Sequence, residues 1–264
     1  MFFCCALTSV AAPRLPKTTL LGNRAFFRFT GRLISVEDGM AKIGLLIPTD
    51  MEAVGVPECC MVAAGFGPGK SSSCAAAADL IFKKHCDTVV IWGTAGSLSP
   101  ELHAGDIVVA GRTAHKDFSL TPLPGARGLG DVPDFSEADF WHTLDSSLAE
   151  LLLQAVQTVF PEHRAVIGPV CSGDIFDPAQ ARGNPIEAQA YAVDMETSAV
   201  AEFCYRLREK SGIAVRFGTI RVISNNAATS DSSLACDDFT TFLKLFAQMN
   251  ARLPRLLEYL KISN

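Results

Sequence analysis

Short apolar runs alternate along the chain with amphipathic stretches of helical spacing, and this alternation limits the possible folds more than any other feature. The run TVVIW, at Thr88–Trp92, has no polar face, so a strand formed there must be covered on both sides. The strand candidates are Phe2–Leu7, Ala25–Val36, Lys42–Ile47, Cys60–Ala64, Thr88–Trp92, Asp106–Ala110, Ala165–Cys171, Ala190–Asp194 and Ile213–Ser224. Helices are predicted at Ser72–Lys84, Glu137–Phe160, Glu196–Ser211 and Asp237–Leu260. The sequence therefore predicts an α/β fold, a three-layer α/β/α domain with a mixed central β-sheet.

The size and charge of the chain limit its partners. No linker rich in Pro, Ser or Gly and no internal repeat divides the 264 residues, so we expect a single domain over residues 1–264. The formal net charge is -5 and Lys and Arg are not clustered, which argues against a nucleic-acid partner. The apolar start, Phe2–Leu7, lacks a basic flank and is too short to span a bilayer. We therefore expect a cytoplasmic protein with no membrane contact.

Cysteine and histidine patterns give no sign of a bound metal. The nine cysteines contain no CxxC pair and the five histidines form no HExxH motif, so the sequence predicts neither a disulfide framework nor a zinc site. We expect reduced cysteines that pack as small apolar side chains. No metal ion and no cofactor is predicted, and the expected ligand is a small molecule.

Two glycine-rich segments follow predicted strands. AAGFGPGKSSS, Ala63–Ser73, joins a strand end to a helix start, and its backbone N–H groups, such as that of Gly67, can hold an anion or a sugar hydroxyl. IWGTAGSL, Ile91–Leu98, repeats the design, and its glycines let the backbone around Thr94 approach a ligand closely. Each segment is equally what a tight turn needs without any ligand.

Two other strand ends carry polar or aromatic side chains. VDMETSAVAEFC puts Met195 and Glu196 where a strand feeds a helix. Glu196 suits a contact with a diol, or is only a first-turn carboxylate favoured by the helix dipole. CSGDIFDPAQ carries Phe176, which is either an aromatic platform for a ligand or a core side chain.

The last predicted strand ends in RVISNNA, with Arg221, Ser224 and Asn225. Open α/β sheets bind their ligands outside the carboxyl ends of the strands, so these hydrogen-bonding side chains lie where a ligand is expected.

The segments GFGPGK, GTAGSL…AGDIVVA, SGDIF and VDMETSAVA…RVISN, in this order and spacing, resemble the 5'-methylthioadenosine/S-adenosylhomocysteine nucleosidases and the wider nucleoside phosphorylase family. The resemblance covers most of the chain from about Cys60 to Leu256. It implies cleavage of the N-glycosidic bond of a purine nucleoside. Its implied site residues are Phe176 stacking on the purine, Met195 and Glu196 holding the ribose, Thr94 near the sugar, and Arg221 positioning the attacking water.

The chain departs from that pattern at two carboxylates. The adenosine-type nucleosidases have an Asp where this chain has Asn225, and an amide donates a hydrogen bond but no proton. They also have a Glu just after the first strand as the water-activating base. We expect that strand at Phe2–Leu7, where LTSVAAPRL contains no carboxylate. The family fold requires a hairpin between the first strand and the glycine-rich segment, and Ala25–Ile47 resembles that hairpin. Glu52 stays a weak candidate, because only 12 residues separate it from Gly65, too few for such a hairpin.

An Arg-x-x-Ser-Asn ending resembles the futalosine hydrolase branch of the family. That branch cleaves a nucleoside intermediate of menaquinone synthesis. We therefore expect hydrolysis of futalosine or 6-amino-6-deoxyfutalosine, with Asn225 contacting N7 of the purine. The alternatives are a methylthioadenosine/S-adenosylhomocysteine nucleosidase, a purine nucleoside phosphorylase and a non-catalytic nucleoside-binding protein. Family resemblance also implies a homodimer, in which the loop Phe118–Phe140 of a neighbour closes the pocket.

Overall fold

The computed structural model describes residues 19–21, 24–29, 32–35, 42–117, 141–175, 186–227 and 236–262. Contacts divide the chain into two compact units, Met1–Met40 and Ala41–Asn264. The prediction of one domain over the whole length stays a prediction. The expected strand at Phe2–Leu7 lies outside the described residues.

The first unit contains a small antiparallel sheet of three strands, β1 (Thr19–Leu21), β2 (Arg24–Phe29) and β3 (Arg32–Ser35), in that order. Strands β2 and β3 pair with Phe29 opposite Arg32, so the single strand predicted at Ala25–Val36 is two strands of a hairpin.

The second unit is built on an eight-stranded sheet. Its strands are β4 (Ile43–Ile47), β5 (Val62–Ala64), β6 (Thr88–Ser97), β7 (Ile107–His115), β8 (Trp141–Thr143), β9 (Ala165–Ser172), β10 (Ala192–Asp194) and β11 (Arg216–Asn226). The order is β10-β9-β7-β11-β6-β4-β5, and β8 pairs with the second half of β7, at Arg112, Thr113 and Ala114. Parallel and antiparallel pairs both occur, so the predicted mixed sheet is confirmed.

The described helices of this unit are α1 (Lys70–Ala78), α2 (Ser146–Val159), α3 (Thr197–Ser211), α4 (Cys236–Asn250) and α5 (Leu253–Ile262). A π-helical turn, Asp79–Lys83, continues α1. No helix in the described ranges is long and apolar enough to cross a membrane.

Helices cover both faces of the sheet. On one face α2, α4 and α5 bury a large cluster in which Trp92 of β6 stacks between Phe160 and Phe246, with ring centroids 5.5 and 5.7 Å apart. On the other face α1 and α3 pack over Leu46, Ile91 and their neighbours. This double coverage explains why β4 reads as an uninterrupted apolar run, and it confirms the three-layer prediction.

Four neighbouring strands run in the same direction. Strand β4 is parallel to β5 and β6, and β6 is parallel to β11. Their carboxyl ends therefore meet at one edge of the sheet, and the residues that follow them are brought together.

Several predicted boundaries are wrong for identifiable reasons. The helix predicted from Glu137 begins only at Ser146, because Asp145 caps it by accepting from Leu148 N and the preceding Trp141–Thr143 pairs with β7. The helix predicted at Asp237–Leu260 is interrupted after Asn250. The segment after Trp92 continues as strand instead of turning, because Gly96 and Ser97 pair with both β11 and β10.

The hairpin expected at Ala25–Ile47 forms only over Arg24–Ser35, and its expected second part is wrong. Ile43–Ile47 does not pair with the preceding segment but lies inside the large sheet, between β5 and β6. Because β4 and β5 are adjacent parallel strands, the chain between Glu52 and Gly65 needs no hairpin, and the spacing argument against Glu52 fails.

Candidate active site

Glu52 lies just after β4 with its carboxylate held by four donors. Oε1 accepts from Thr94 N at 2.7 Å and from Thr94 Oγ1 at 2.9 Å. Oε2 accepts from Thr49 N at 3.1 Å and from Thr49 Oγ1 at 2.8 Å. The side chain is buried, and two of its donors are hydroxyl groups, which can rotate to other acceptors. A water molecule can therefore exchange with a hydroxyl at this carboxylate.

Arg221 is the buried cation of the site. It lies in β11 opposite Gly93, and its side chain is fully buried. Nη2 lies 2.6 Å from Asp194 Oδ2 and 3.0 Å from Glu196 Oε2, and Nη1 donates to Thr94 O at 3.4 Å. Burial opposes the charge on the guanidinium, but the surrounding carboxylates outweigh it and raise the pKa of Arg221.

Glu196 lies between β10 and α3 and is 4% exposed. Oε1 accepts from Gly69 N at 3.1 Å, and Oε2 accepts from Arg221 Nη2 and from Met195 N at 3.3 Å. A carboxylate has about four acceptor positions, so protein donors leave one for a ligand hydroxyl. Burial raises the pKa of Glu196 to about 7, with Arg221 opposing this shift and Asp194 adding to it.

Asp194 fixes the positions of Arg221 and of the start of α3. Besides Arg221, its carboxylate accepts from Ser172 Oγ at 2.5 Å, from the backbone N–H groups of Glu196 and Thr197, and from Thr197 Oγ1. Every one of these partners is buried. Asp194 is therefore a structural partner of the cation, which leaves Glu196 and Glu52 as the carboxylates that a ligand can approach.

Gly93 lets the guanidinium of Arg221 and the carboxylate of Glu52 pack closely against the backbone of β6. A Cβ atom at Gly93 would lie 2.6 Å from Arg221 Nη1 and 3.0 Å from Glu52 Oε1. The two charged groups therefore already take up the room that a larger residue would need. Only glycine lets the cation and the carboxylate approach this point of the strand without a shift.

Ser224 and Asn225 follow at the end of β11. Ser224 Oγ lies 2.8 Å from Asn225 Oδ1, so the N–H groups of the amide are the donors that Asn225 can offer to a ligand. Both residues line a cavity of about 500 Å³. The other residues around the cavity are Pro100, Leu102, His103, Ala104, Asn226, Thr241, Phe242 and Leu245.

The structure brings only some of the predicted site residues together. Thr94, Glu196 and Arg221 form one cluster, with Met195 at its edge through its backbone N–H. The N–H of Gly67 donates to Pro48 O instead, and the glycine that reaches Glu196 is Gly69. Phe176 lies outside the described residues.

Glu52 was predicted only as a weak candidate, and Asp194, Gly69 and Gly93 were not predicted as site residues. For Glu52 a signal was present, since TDME has the Ser/Thr-x-x-Glu spacing of a capping box. The reciprocal bonds of that motif form here, because Glu52 N also lies 3.3 Å from Thr49 Oγ1. Gly69 has φ +96°, which favours glycine, but Gly65 and Gly67 of GFGPGK also have positive φ, so the sequence does not show which of the three reaches Glu196.

Comparison with known proteins identifies the family. The sequence model of the phosphorylase superfamily matches residues 51–261. The chain belongs to the phosphorylase superfamily. A 5'-methylthioadenosine/S-adenosylhomocysteine nucleosidase from Tolumonas auensis is 31% identical over 170 residues, which cover 63% of this chain and 69% of that protein.

Solved structures show the phosphorylase superfamily fold as well. A 5'-methylthioadenosine/S-adenosylhomocysteine nucleosidase from Colwellia psychrerythraea, in complex with adenine, is 25% identical with a TM-score of 0.64, covering 84% of this chain and 96% of that one. The futalosine hydrolase of Helicobacter pylori is 24% identical with a TM-score of 0.64, covering 83% and 98%. The likeness to the second is one of fold. Glu52, Thr94, Glu196 and Arg221 all lie within the residues that the superfamily model matches.

Proposed function

We propose that this protein hydrolyses the N-ribosyl bond of a purine nucleoside, with Glu52 as the base that activates water. The observation that carries the proposal is a buried arrangement in which Arg221 of β11 bonds Glu196, just after β10, while Glu52, just after β4, bonds Thr94 of β6. The relatives named above are nucleosidases, which supports hydrolysis of an N-glycosyl bond.

The attacking water donates to Glu52 and accepts from Arg221, whose side chains approach each other at Gly93. Its oxygen bonds to C1' of the sugar, one of its protons passes to Glu52, and the bond between C1' and the purine breaks with its electron pair leaving on the base. The departing base then takes a proton from solvent and Glu52 returns its proton to solvent, so that the products are neutral purine and free sugar. The sugar carries positive charge in the transition state, which the nearby carboxylates stabilise.

Glu196 holds the ribose. Its remaining acceptor position takes one ribose hydroxyl directly, and a second hydroxyl is accepted when it replaces the bond from Gly69 N. Met195, whose backbone supports the same carboxylate, packs against the sugar, and Thr94 lies beside it. The ionised form of Glu196 is the one that accepts these hydroxyls.

The leaving purine is held by Asn225 and Phe176. The amide of Asn225 donates to N7, and Ser224 orients the amide by bonding to its Oδ1. The cavity that these two residues line is within the size range of small-ligand sites, but Glu52, Thr94, Glu196 and Arg221 do not line it. Phe176 stacks on the purine ring. Asn225 stabilises the leaving base by hydrogen bonding alone, because an amide has no proton to give.

Two substrate classes fit this site. Futalosine or 6-amino-6-deoxyfutalosine is favoured by Asn225, whose donors match N7 and O6 of a 6-oxopurine. Methylthioadenosine or S-adenosylhomocysteine is favoured by the names of the relatives that are about 30% identical.

Two rival functions are weakened by the site. A phosphorylase needs cations that converge on phosphate, whereas Arg221 is already neutralised by Asp194 and Glu196. A non-catalytic binding protein needs no base, and the position of Glu52 supplies one.

The test is a base-release assay on futalosine, 6-amino-6-deoxyfutalosine, methylthioadenosine and S-adenosylhomocysteine, with inosine and adenosine as 5'-hydroxyl controls. We expect release of hypoxanthine or adenine from at least one 5'-substituted nucleoside. Binding of these nucleosides without any turnover would refute the proposal and favour a binding protein.

We also propose that the protein is a cytoplasmic homodimer whose Phe118–Phe140 loop closes the neighbouring pocket. That loop lies outside the described residues, and its length and composition are the support. Light scattering coupled to gel filtration measures the oligomeric state, and a monomeric mass at assay concentrations would contradict the dimer.

A further inference from the structure

The side chain of Asn250 is bound to the backbone of the segment that carries Glu52. Asn250 is the last residue of α4 and is fully buried. Its Nδ2 donates to Glu52 O at 2.7 Å and to Val54 O at 2.8 Å. One amide group thus uses both of its N–H donors on two carbonyls of a single loop.

Trp92 sets the orientation of that amide. Its Nε1 donates to Asn250 Oδ1 at 2.7 Å, which places Nδ2 on the side of the loop. The indole is itself rigid, because it is fully buried and stacked between Phe160 and Phe246. Strand β6 therefore holds Glu52 twice, directly through Thr94 and indirectly through Trp92 and Asn250.

The segment between β4 and β5 forms turns and no helix or strand, and Met51 and Val54 on either side of Glu52 are each 58% exposed. A buried carbonyl that loses its donor is costly, so the loop would shift to rehydrate Glu52 O and Val54 O if Asn250 were removed. Such a shift would move the carboxylate relative to Thr94 and Arg221.

We propose that Asn250 is a positioning residue for the catalytic base, acting through the backbone of Glu52 and oriented by Trp92. This inference rests on the proposed function, since it concerns the base of that reaction. Asn250 itself touches no substrate. It determines where the Glu52 carboxylate lies relative to Arg221 and the water between them.

The main variant is Asn250→Leu, which has a similar volume and no donor. A displacement of about 1 Å in a catalytic group lowers the rate roughly 100-fold, so we expect kcat to fall by about that factor. KM should stay within about twofold, because the residues proposed to hold the ribose and the purine are not bound to Asn250. Leu260→Ala is the matched control: Leu260 is fully buried in the same core, so the change costs stability while keeping the hydrogen bonds of Asn250.

Asn250→Asp tests the hydrogen-bond donors specifically. The ionised carboxylate would face Glu52 O and Val54 O without any donor, whereas the protonated form offers one O–H. Burial raises the pKa of such a carboxyl. The ratio of kcat for Asn250→Asp to kcat for wild type should therefore rise as the pH falls from about 8 to about 6. For Asn250→Leu the same ratio should stay flat.

Hydrogen exchange measured by mass spectrometry gives a readout that does not depend on turnover. Ala53 N donates to Thr49 O at 3.1 Å and Val56 N donates to Ala53 O at 3.1 Å, so these amides report on the loop. Asn250→Leu should accelerate their exchange at least tenfold while β11 exchanges as in Leu260→Ala.

The outcomes separate the two proposals. If wild type releases no purine, the proposed function fails, and the exchange result alone decides whether Asn250 holds the loop. If wild type and Asn250→Leu have the same kcat while Glu52→Gln is inactive, the positioning role is refuted although the function stands. A rise in KM with unchanged kcat would also overturn it.

Discussion

Gly93→Ala tests whether the close packing of Arg221 and Glu52 at Gly93 is needed for the attack of water. The new Cβ would lie 2.6 Å from Arg221 Nη1, whereas a comfortable separation is about 3.5 Å, so the guanidinium must move by roughly 1 Å. Its bonds to Asp194 and Glu196 oppose that movement. The methyl group would also lie 3.0 Å from Glu52 Oε1 and would push apart the two groups proposed to hold the water.

The expected loss of activity follows from that displacement. A misplacement of about 1 Å lowers the rate roughly 100-fold, which corresponds to about 2.7 kcal/mol of transition-state stabilisation. Overpacking costs about 1–3 kcal/mol of stability in addition, so the melting temperature should fall by several degrees. Base release followed by absorbance gives kcat, and differential scanning fluorimetry shows that the variant is folded.

Gly111→Ala is the matched control for this variant. Its Cβ would lie 2.9 Å from Ile167 Cγ2, a similar clash, but Ile167 is partly exposed and can move. We expect Gly111→Ala to keep the wild-type kcat. A folded Gly93→Ala enzyme with kcat within about threefold of wild type would refute the placement of the water.

Four further substitutions test three residues individually. Glu52→Gln should lower kcat about 100- to 10,000-fold, the usual contribution of a general base, and a smaller loss measured in the same assay would contradict that role. Glu196→Gln should lower kcat/KM about 10- to 100-fold, because it loses charge-assisted hydrogen bonds of about 1.5–3 kcal/mol. Burial raises the pKa of Glu196 to about 7, and its ionised form binds the ribose, so wild-type kcat/KM should rise with pH through this value. If the same rise persists unchanged in Glu196→Gln, the titrating group is a different residue. Asn225→Ala should lower kcat about 100- to 1,000-fold, as the loss of an oxyanion-hole donor does. Asn225→Asp should shift the ratio of kcat/KM values in favour of adenine nucleosides over hypoxanthine nucleosides. An unchanged ratio together with a fully active Asn225→Ala variant would mean that Asn225 lies away from the base.

The layers of the fold could be predicted from the sequence, because a continuous apolar run indicates burial whatever its pairing partners are. Strand β4 is buried along its whole length and reads as such, and both helical layers are visible from their spacing. Where pairing partners decided the structure, local patterns misled. Gly93–Ser97 reads as a turn, yet it is strand because β10 and β11 pair with it.

The site was predicted in part for a similar reason. Arg221 and Glu196 were visible as polar groups at strand ends, and their meeting follows from the sheet order. Glu52 was set aside because its role depends on which strands are neighbours, a long-range property that spacing does not reveal. The anchoring of Glu52 O by Asn250 spans 198 residues, and no local signal in the sequence could announce it.

The central claim is that water, activated at Glu52, displaces the purine. Its most direct test is the release of purine base by wild type and by Glu52→Gln in phosphate-free buffer and in buffer with added inorganic phosphate, together with identification of the sugar product. We expect wild type to release base equally fast in both buffers with free sugar as the product, and Glu52→Gln to be nearly inactive in both. Strict dependence on phosphate with a sugar 1-phosphate as the product, or full activity of Glu52→Gln, would contradict the mechanism.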